Sequence, residues 1–185
     1  LFTDLLGTGC RIGEAIALRW QDCDFEQGII TIDHSLVYRP QEDGSGCNFS
    51  VSTPKTKSGI RIIPMFDAVK EALLAEKEKQ EQVGFNHTVI DGYSGFIFSN
   101  RYGDVMNPST INRALVRIIR DYNKVETERA EAEMRSPVFL PHFSVHNLRH
   151  TFCTRFCENE TNLKIIQKIM GHADITTTMD VYNEA

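Results

Sequence analysis

The sequence predicts an α+β fold that is mainly helical, with a small antiparallel β-sheet near the N-terminal third. Apolar residues recur at helical spacing through most of the 185 residues. Stretches rich in β-branched residues, separated by turn residues, are confined to roughly residues 28–64. The 41% hydrophobic content can bury one core, and the length fits one domain. Disorder and a fibrous repeat are thereby excluded, and no apolar run approaches the ~20 residues that a membrane span needs.

The first half of the chain is predicted as a helical pair, a sheet and a helix. Residues 1–20 form helix, turn and helix, because glycines interrupt the apolar periodicity. The strands lie in "GIITIDHSLVYRP", "CNFSVSTPKT" and "IRIIP", and Pro64 ends the last of them. Asp67 is predicted to cap a helix that runs to about Gln82, with an inward-facing set of Val69, Leu73 and Leu74.

The second half is predicted as a loop followed by helices. Residues 84–107 form the loop, with a short strand at 96–98. Asn107 caps a helix that begins at Pro108. The acidic run 126–133 either extends this helix or forms a mobile loop after it. Three short helices follow at about 144–157, 162–170 and 174–182. The inward residues of the long helix are Ile111, Leu115, Ile118 and Ile119.

The net charge of −5 argues against non-specific nucleic-acid binding, which normally needs a basic face. The acids are concentrated in residues 71–81 and 121–133, which are typical of solvated helix faces. The remaining basic residues can therefore gather into a local basic surface. They are Lys55, Lys57, Arg61, Arg113, Arg117, Arg120, Arg149 and Arg155.

The cysteines indicate free thiols in a reducing compartment. Their number is five, and they form no CxxC pair. A structural zinc site is the alternative. The five are Cys10, Cys23, Cys47, Cys153 and Cys157.

The segment "TGCRIGEAIALRW" places Arg11 at the start of a helix, directly after a glycine turn. Backbone N–H groups and a guanidinium converge there, which favours binding of an anion. The alternative is a surface arginine paired with Glu14 three residues later.

In "VHNLRHT", His146 and Arg149 are three residues apart and share a helix face. A forked cation and a titratable imidazole aimed at one point suit a phosphodiester. A metal pair of His146 and His150 is the competing interpretation, but the residue after the first histidine is Asn147, where the metalloprotease motif has glutamate. The third interpretation is a helix with incidental polar residues.

Two further segments are ambiguous alone. In "MGHADITTTMDVY", Gly171 suits a helix C-cap, His172 follows it, and Tyr182 is either functional or a packing residue. In "TPKTKSGIR", Lys55 and Lys57 flank a tight turn between strands, as in any charged hairpin tip.

Taken together and in this order, these segments resemble the catalytic domain of the tyrosine recombinases, the phage integrase family. The resemblance covers essentially the whole chain. It is most specific in "TGCRIGE", "HNLRHTF" and "MGHADITTTMDVY". The hairpin "TPKTKSGIRIIP" and the spacing look closest to integrases of conjugative transposons and of phages from Gram-positive bacteria.

The resemblance implies a mechanism for cutting and rejoining DNA. Tyr182 would attack the scissile phosphate and form a 3′-phosphotyrosyl link, which conserves the bond energy without ATP. Arg11 and Arg149 would clamp the non-bridging oxygens. His146 would act as general base or proton relay, because the phenol has an ordinary pKa of ~10. His172 would hydrogen-bond the phosphate.

The remaining implied roles are supportive. A hairpin lysine would protonate the departing 5′-oxygen; Lys55 matches the family pattern better, and Lys57 is the alternative. Glu14 would support Arg11. Neither a metal nor a cofactor is implied. The interval from His172 to Tyr182 is ten residues, one more than in many members, so the loop or helix start must absorb one residue.

The implied partners are double-stranded DNA attachment sites, with a homotetramer on synapsed DNA and an accessory directionality factor. Residues 1–185 would be the catalytic part of a longer protein, with core-binding and arm-binding domains upstream. The isolated domain would be monomeric and the setting the bacterial cytoplasm, at the nucleoid and away from membranes. The alternatives are a topoisomerase-like relaxer, a DNA-binding module that does not cut, and a metal-binding structural domain.

Overall fold

A computed structural model of the chain describes residues 1–42, 44–54 and 57–184; of position 57 and positions 181–184 it describes the backbone only. The α+β prediction is confirmed. In this part of the chain the helices are α1 (Phe2–Thr8), α2 (Ile12–Ala17), α3 (Asp67–Val83), α4 (Pro108–Ala132), α5 (Val145–Asn159), α6 (Leu163–Met170) and α7 (Ile175–Glu184). The strands are β1 (Cys23–Asp24), β2 (Ile29–Ile32), β3 (Ser35–Pro40), β4 (Cys47–Ser52) and β5 (Arg61–Pro64).

The strands form two antiparallel sheets where the sequence predicted one. The first sheet has the order β1-β2-β5, and the second pairs β3 with β4. The chain changes sheets at His34, whose ring is buried. Its Nε2 lies 2.8 Å from the carbonyl oxygen of Ala17, and the ring packs on that of Tyr93. This contact with α2 anchors the corner, so β3 leaves the direction of β2.

The core lies between α1, α2, the first sheet and the loop that follows α3. Phe96 and Ile97 of that loop are fully buried, but the predicted short strand at 96–98 is not formed, since Phe96 makes an isolated antiparallel bridge with Arg19 instead.

A smaller cluster between α5 and α6 contains Phe152, Cys153 and Met170. The start of α5, through Val145 and Leu148, belongs to the main core, and Ile169 of α6 packs against both clusters.

Two helix predictions need correction. Asp67 is the first residue of α3 and Phe66 precedes it at the cap position, so Asp67 is not the cap. Leu74 and Ile118 are 44% and 49% exposed, although both were predicted to face inward. Leu74 follows the apolar Leu73, and Ile118 precedes the apolar Ile119. Because the side chains of adjacent helix residues point about 100° apart, only one residue of each pair can face the core. Leu73 and Ile119 are the buried members.

The long helix α4 begins at Pro108 as predicted, and the acidic run 126–133 extends it rather than forming a loop after it. The side chain of Asn107 accepts a hydrogen bond from the backbone N–H of Ser109, and Pro108 is the first helical residue. The helix then continues through the acidic run to Ala132. Glu126, in its last turns, is buried and pairs with Arg135.

Among the described residues, no helix is both long enough and apolar enough to cross a membrane. Four cysteines are buried, and Cys47 is exposed at the start of β4.

A close contact between α1 and α5 yields the first prediction. Gly9 ends α1 with φ +63°, and a Cβ there would lie 2.3 Å from Cδ1 of Phe152. Gly28 has nearly the same φ, +65°, but no atom within 4 Å of the added Cβ. Gly9→Ala should therefore lower the free energy of unfolding by about 3 kcal/mol or more, through both backbone strain and overpacking, whereas Gly28→Ala should cost only about 1 kcal/mol. Urea unfolding of both variants measures the difference; equal losses would show that the Phe152 contact is unimportant.

Candidate active site

Arg149 on α5 is buried, and its side chain joins two turns from distant parts of the chain. Its Nη1 donates a hydrogen bond to the carbonyl of Gly9, and its Nη2 donates one to the carbonyl of Met170. The first carbonyl lies just before Arg11 and the second just before His172. One guanidinium thus brings the start of α2 next to the end of α6.

These contacts create a cavity of about 190 Å³. Four residues that the sequence singled out meet at it: Arg11, His146, Arg149 and His172. The rest of the wall is formed by His150, Cys153, Met170 and Thr177. The proximity of the four is a finding of the tertiary structure, since they come from three separate segments.

For Arg11, both interpretations left open by the sequence hold at once. Its Nη1 lies 2.9 Å from Oε1 of Glu14, and its backbone N–H donates to Oε2 at 2.8 Å. The ion pair does not bury the guanidinium, because the side chain remains 47% exposed at the cavity. Arg11 is therefore both oriented by Glu14 and accessible to an anion.

The positive charge of the cluster exceeds its negative charge. The carboxylate of Glu14 pairs with the guanidinium groups of Arg11 and Arg61, whereas the nearby Arg149, among the described residues, hydrogen-bonds only to backbone carbonyls. Burial, and then the charge of Arg11, lower the pKa of Arg149 to about 10. A bound anion would relieve this repulsion, which is strong where water is excluded. The cavity is thus suited to a phosphate, although the whole chain is acidic.

The predicted basic surface is only partly correct. Arg61 and Arg149 are buried and hydrogen-bonded inside the protein. Arg120 pairs with Asp121 and Arg155 pairs with Glu158 at the surface. Arg113 and Arg117 are exposed on α4, so of the predicted side chains that the structure describes only those of Arg61 and Arg149 join the cluster at the cavity.

The two histidines at the cavity favour the neutral form. Burial, followed by the neighbouring guanidinium charges, lowers the pKa of His172 to about 4. Burial also lowers the pKa of His146, with contributions from His150 and Arg149. Nδ1 of His172 lies 3.0 Å from the hydroxyl of Thr178. When that hydroxyl donates, the ring proton is on Nε2, and His172 can donate to an oxygen of a ligand.

The segment that carries Lys55 and Lys57 lies beside the same cluster. The prediction of a hairpin is wrong, because the segment connects β4 to β5 and these strands belong to different sheets, β4 pairing with β3 and β5 with β2. A second cavity of about 290 Å³ is lined by Arg11 and Glu14 on one side and by Thr53, Pro54 and Gly59 on the other. Lys55 lies outside the described residues. Lys57 begins a short 3-10 turn that ends at Gly59, and its side chain also lies outside the description.

Tyr182 belongs to α7, and its side chain lies outside the described part of the structure. The backbone places position 182 four residues after Thr178, so both positions share one face of the helix. Helix α7 begins at Ile175 and runs through the Thr176–Thr178 segment without a break. The ten-residue interval is therefore accommodated by the turn before Ile175 together with a regular helix.

A metal site is poorly supported in the described residues. His146 and His150 pack edge to face, with ring centroids 4.6 Å apart, and no third ligand joins them among the described residues. The cluster that does meet the distance requirement is Asp22, Asp33 and His34. There Arg19 already holds the Asp22 carboxylate through two hydrogen bonds, at 3.0 and 2.8 Å.

Two other features do not compete with the site. Burial raises the pKa of the Cys153 thiol to about 12, so this cysteine is not a nucleophile at neutral pH. A larger cleft of about 600 Å³ lies between Tyr38 and Asn107. Its described walls carry Asp91 and Asp104 and none of the predicted site residues.

Sequence reasoning missed three residues of this region. His150 was considered only as a metal ligand, although helical spacing from His146 placed it on the same face. No local pattern indicates a role for Thr178. Arg61 was assigned to the surface, and strand alternation with the buried Ile63 was the signal that could have placed it inside.

The family model described as "Phage integrase family" matches residues 1–185. The chain belongs to the phage integrase family. The family of the tyrosine recombinases, suggested by the motifs, is thereby confirmed.

Relatives in this family include mobile-element proteins. The transposase from transposon Tn916 of Enterococcus faecalis is 38% identical over 184 residues, which cover 98% of this chain and 40% of the transposase. The integrase of Staphylococcus phage L54a is 30% identical, covering 95% of this chain and 44% of the integrase. The chain thus spans less than half the length of these relatives.

Solved structures agree with this assignment. The Tn1549 transposon integrase in complex with transposon right end DNA matches with a TM-score of 0.81 and 35% identity, covering 98% of this chain and 52% of that one. The XerA recombinase matches with a TM-score of 0.59 at 23% identity, which supports the shared fold alone.

The lowered pKa of His172 predicts a pH dependence of stability. Between about pH 4 and 6.5, the unfolded chain binds a proton at this ring that the folded chain does not, so stability rises with pH. From about pH 5 to pH 7 the wild-type free energy of unfolding should gain roughly 1–2 kcal/mol more than that of His172→Gln. Burial raises the pKa of Asp4 to about 7, which acts in the opposite direction but equally in both proteins.

Urea unfolding at the two pH values measures this difference. His87→Gln, at an exposed loop position, is the control and should follow the wild type. An unchanged pH dependence in His172→Gln would contradict the assignment of a neutral, buried imidazole.

Proposed function

We propose that this chain cuts and rejoins DNA strands through a covalent 3′-phosphotyrosyl intermediate, as the catalytic part of a site-specific recombinase or integrase. The observation that carries the proposal is the meeting of Arg11, His146, Arg149 and His172 at one small, positively charged cavity. Membership of the phage integrase family supports it.

The proposed first step is attack by the Tyr182 oxygen on the scissile phosphorus. A P–O bond forms to tyrosine, and the bond to the 5′-oxygen of the next nucleotide breaks. The phenol proton passes to His146, directly or through a relay. The lowered pKa of His146 supports this role, because a neutral imidazole can accept a proton. Position 182 lies one helical turn after Thr178, whose hydroxyl lies 3.0 Å from Nδ1 of His172, and this contact between α7 and the site supports Tyr182 as the nucleophile.

Arg11 and Arg149 are proposed to bind the non-bridging oxygens, with His172 as a third donor. Their preorganisation supports this assignment. Arg149 is held by two carbonyls and Arg11 by Glu14, so little reorganisation is needed when charge develops in the pentacoordinate transition state. Guanidinium groups thus supply the charge clamp, and the proposed reaction needs neither metal nor ATP. Rejoining reverses the same steps, with the 5′-hydroxyl as the nucleophile.

Lys55 is proposed as the general acid for the 5′-oxygen, with Lys57 as the alternative. The described residues on either side of this segment line the second cavity together with Arg11 and Glu14, which supports a lysine of the segment as the proton donor.

The proposed substrate is double-stranded DNA that carries the attachment sites of a mobile element. The Tn1549 integrase of similar structure is in complex with its transposon end, which supports DNA as the partner here. Since this chain spans 40% of the Tn916 transposase, we assign it to the catalytic part of a longer protein. In that protein, upstream domains hold the core site and bind arm sites.

The assembly is also a proposal. Four protomers would act on two synapsed sites, with an accessory factor setting direction, on nucleoid DNA in the bacterial cytoplasm. The isolated domain is expected to be monomeric and to bind DNA weakly, because the net charge is −5.

The nucleophile is tested with a suicide substrate, a duplex of the element's own ends nicked near the scissile phosphate so that the cut end diffuses away. The full-length protein is incubated with it in EDTA without ATP, and covalent adducts are resolved on a denaturing gel. We expect an adduct for the wild type and none for Tyr182→Phe. Tyr122→Phe, at an exposed position of α4, is the matched control and should react normally.

The outcomes separate the competing functions. No adduct in the wild type, with binding intact on the same DNA, would favour a module that binds without cutting. Relaxation of a supercoiled plasmid that lacks the element's ends would favour a topoisomerase-like enzyme. An adduct that persists in Tyr182→Phe would contradict the proposed nucleophile.

The general acid is tested with a leaving group that does not need protonation. Lys55→Ala should slow cleavage of ordinary DNA by about 10²–10⁴-fold, the usual range for loss of general acid catalysis. A substrate with sulfur at the 5′-bridging position should restore the rate, because a thiolate leaves without a proton. Lys57→Ala is the paired comparison. Rescue confined to Lys57→Ala would transfer the role to Lys57.

A further inference from the structure

Arg61 lies directly beneath the candidate active site and is almost completely buried, with 3% of its surface exposed. Its Nη1 and Nη2 lie 3.1 and 2.8 Å from the two oxygens of Glu14. Its Nε donates to the carbonyl of Ile169 at 2.8 Å. The side chain therefore links β5, α2 and the end of α6.

The carboxylate of Glu14 is shared between two guanidinium groups. Arg61 binds it from inside the protein, and Arg11 binds it from the cavity side at 2.9 Å. Burial alone would raise the pKa of Glu14, but the hydrogen bonds and charges of Arg61 and then Arg11 hold it below its ordinary value. Glu14 is thus a fixed anion in the folded protein.

This sharing has a consequence for Arg11. A carboxylate neutralised by Arg61 orients Arg11 without cancelling its charge. If Arg61 were missing, Glu14 would pair with Arg11 alone and compete with a phosphate for it. The distances thus assign Arg61 a part in keeping Arg11 available.

Arg61 also supports the turn that carries His172. Gly171 ends α6 with φ +62°, and a Cβ on it would lie 3.0 Å from Nη1 of Arg61 and 3.1 Å from the Ser58 carbonyl oxygen. The backbone just before His172 is therefore closely packed against the Arg61 guanidinium and the carbonyl oxygen of Ser58. A change in the shape of Arg61 would shift this turn relative to Arg11.

We propose that Arg61 is a positioning residue for DNA cleavage. By pairing with Glu14, Arg61 keeps that carboxylate in position to orient Arg11 without neutralising the charge of Arg11. By its hydrogen bond to the carbonyl of Ile169, it fixes the end of α6 and so the position of His172. The inference rests on the proposed function, since its effect is on the phosphate-binding groups.

The test substitutes lysine, which keeps the charge but loses the fork that reaches Glu14 and Ile169 together. Arg61→Lys is compared with Arg19→Lys in the full-length protein. Arg19 is the matched control, because it forms a two-bond ion pair with Asp22 and is 12% exposed, away from the cavity. Single-turnover adduct formation on the nicked duplex is measured at saturating protein, and DNA affinity is measured separately.

We expect Arg61→Lys to slow the saturated cleavage rate by on the order of 100-fold, the effect of a small misplacement of binding groups, with a much smaller loss of DNA affinity. Arg19→Lys should cleave at close to the wild-type rate. A wild-type rate in Arg61→Lys, or an equal loss in Arg19→Lys, would overturn the inference. An absence of adduct in the wild type itself would instead overturn the proposed function.

If Arg61→Lys does not fold, the uncharged pair Glu14→Gln/Arg61→Met replaces it, since it leaves no buried charge unpaired. Its saturated cleavage rate is compared with that of the wild type and of the matched double variant Asp22→Asn/Arg19→Met, which removes an ion pair away from the cavity. A loss on the order of 100-fold that the matched variant does not share supports the positioning role, and equal rates in the two double variants overturn it.

Discussion

The hydrogen bonds from the buried Arg149 guanidinium to the carbonyls of Gly9 and Met170 are the interaction on which the rest of the site depends. A buried cation must find acceptors, and here the acceptors are backbone atoms of two turns. Satisfying this one group therefore fixes the start of α2 and the end of α6 relative to α5. Arg11 and His172, the residues that follow those turns, meet at the cavity as a result.

A second buried interaction, the ion pair of Glu14 and Arg61, supports the same site. The carboxylate of this pair lines the second cavity and also binds Arg11, which lines both cavities. Here the charges do not balance, because Arg11 and Arg61 share the one carboxylate of Glu14 and Arg149 lies nearby with only backbone carbonyls as partners in the described part of the chain. The excess charge is confined to the place where a phosphate would sit. This explains how an acidic chain can still present a site for an anion.

Much of the architecture followed from local sequence. Asn107 and Pro108 start α4 and Gly171 ends α6 as predicted, since caps depend on neighbouring residues and backbone conformation. The errors arose where neighbours compete for the core. Leu73 is buried and Leu74 is not, and Ile119 is buried and Ile118 is not. Periodicity identifies a helix, but it leaves the orientation of its face uncertain by about one residue.

The sequence by itself determined which chemistry-bearing residues are present, in what order, and on which kinds of element, because these properties depend on residue type and spacing. From these alone the family could be identified. Only the tertiary structure decided that Arg11, His146, Arg149 and His172 share one cavity, that Arg61 is buried against Glu14, and that the strands divide into two sheets at His34. Those facts depend on contacts between residues far apart in the chain, where burial and charge compensation, which no local pattern encodes, select the partners.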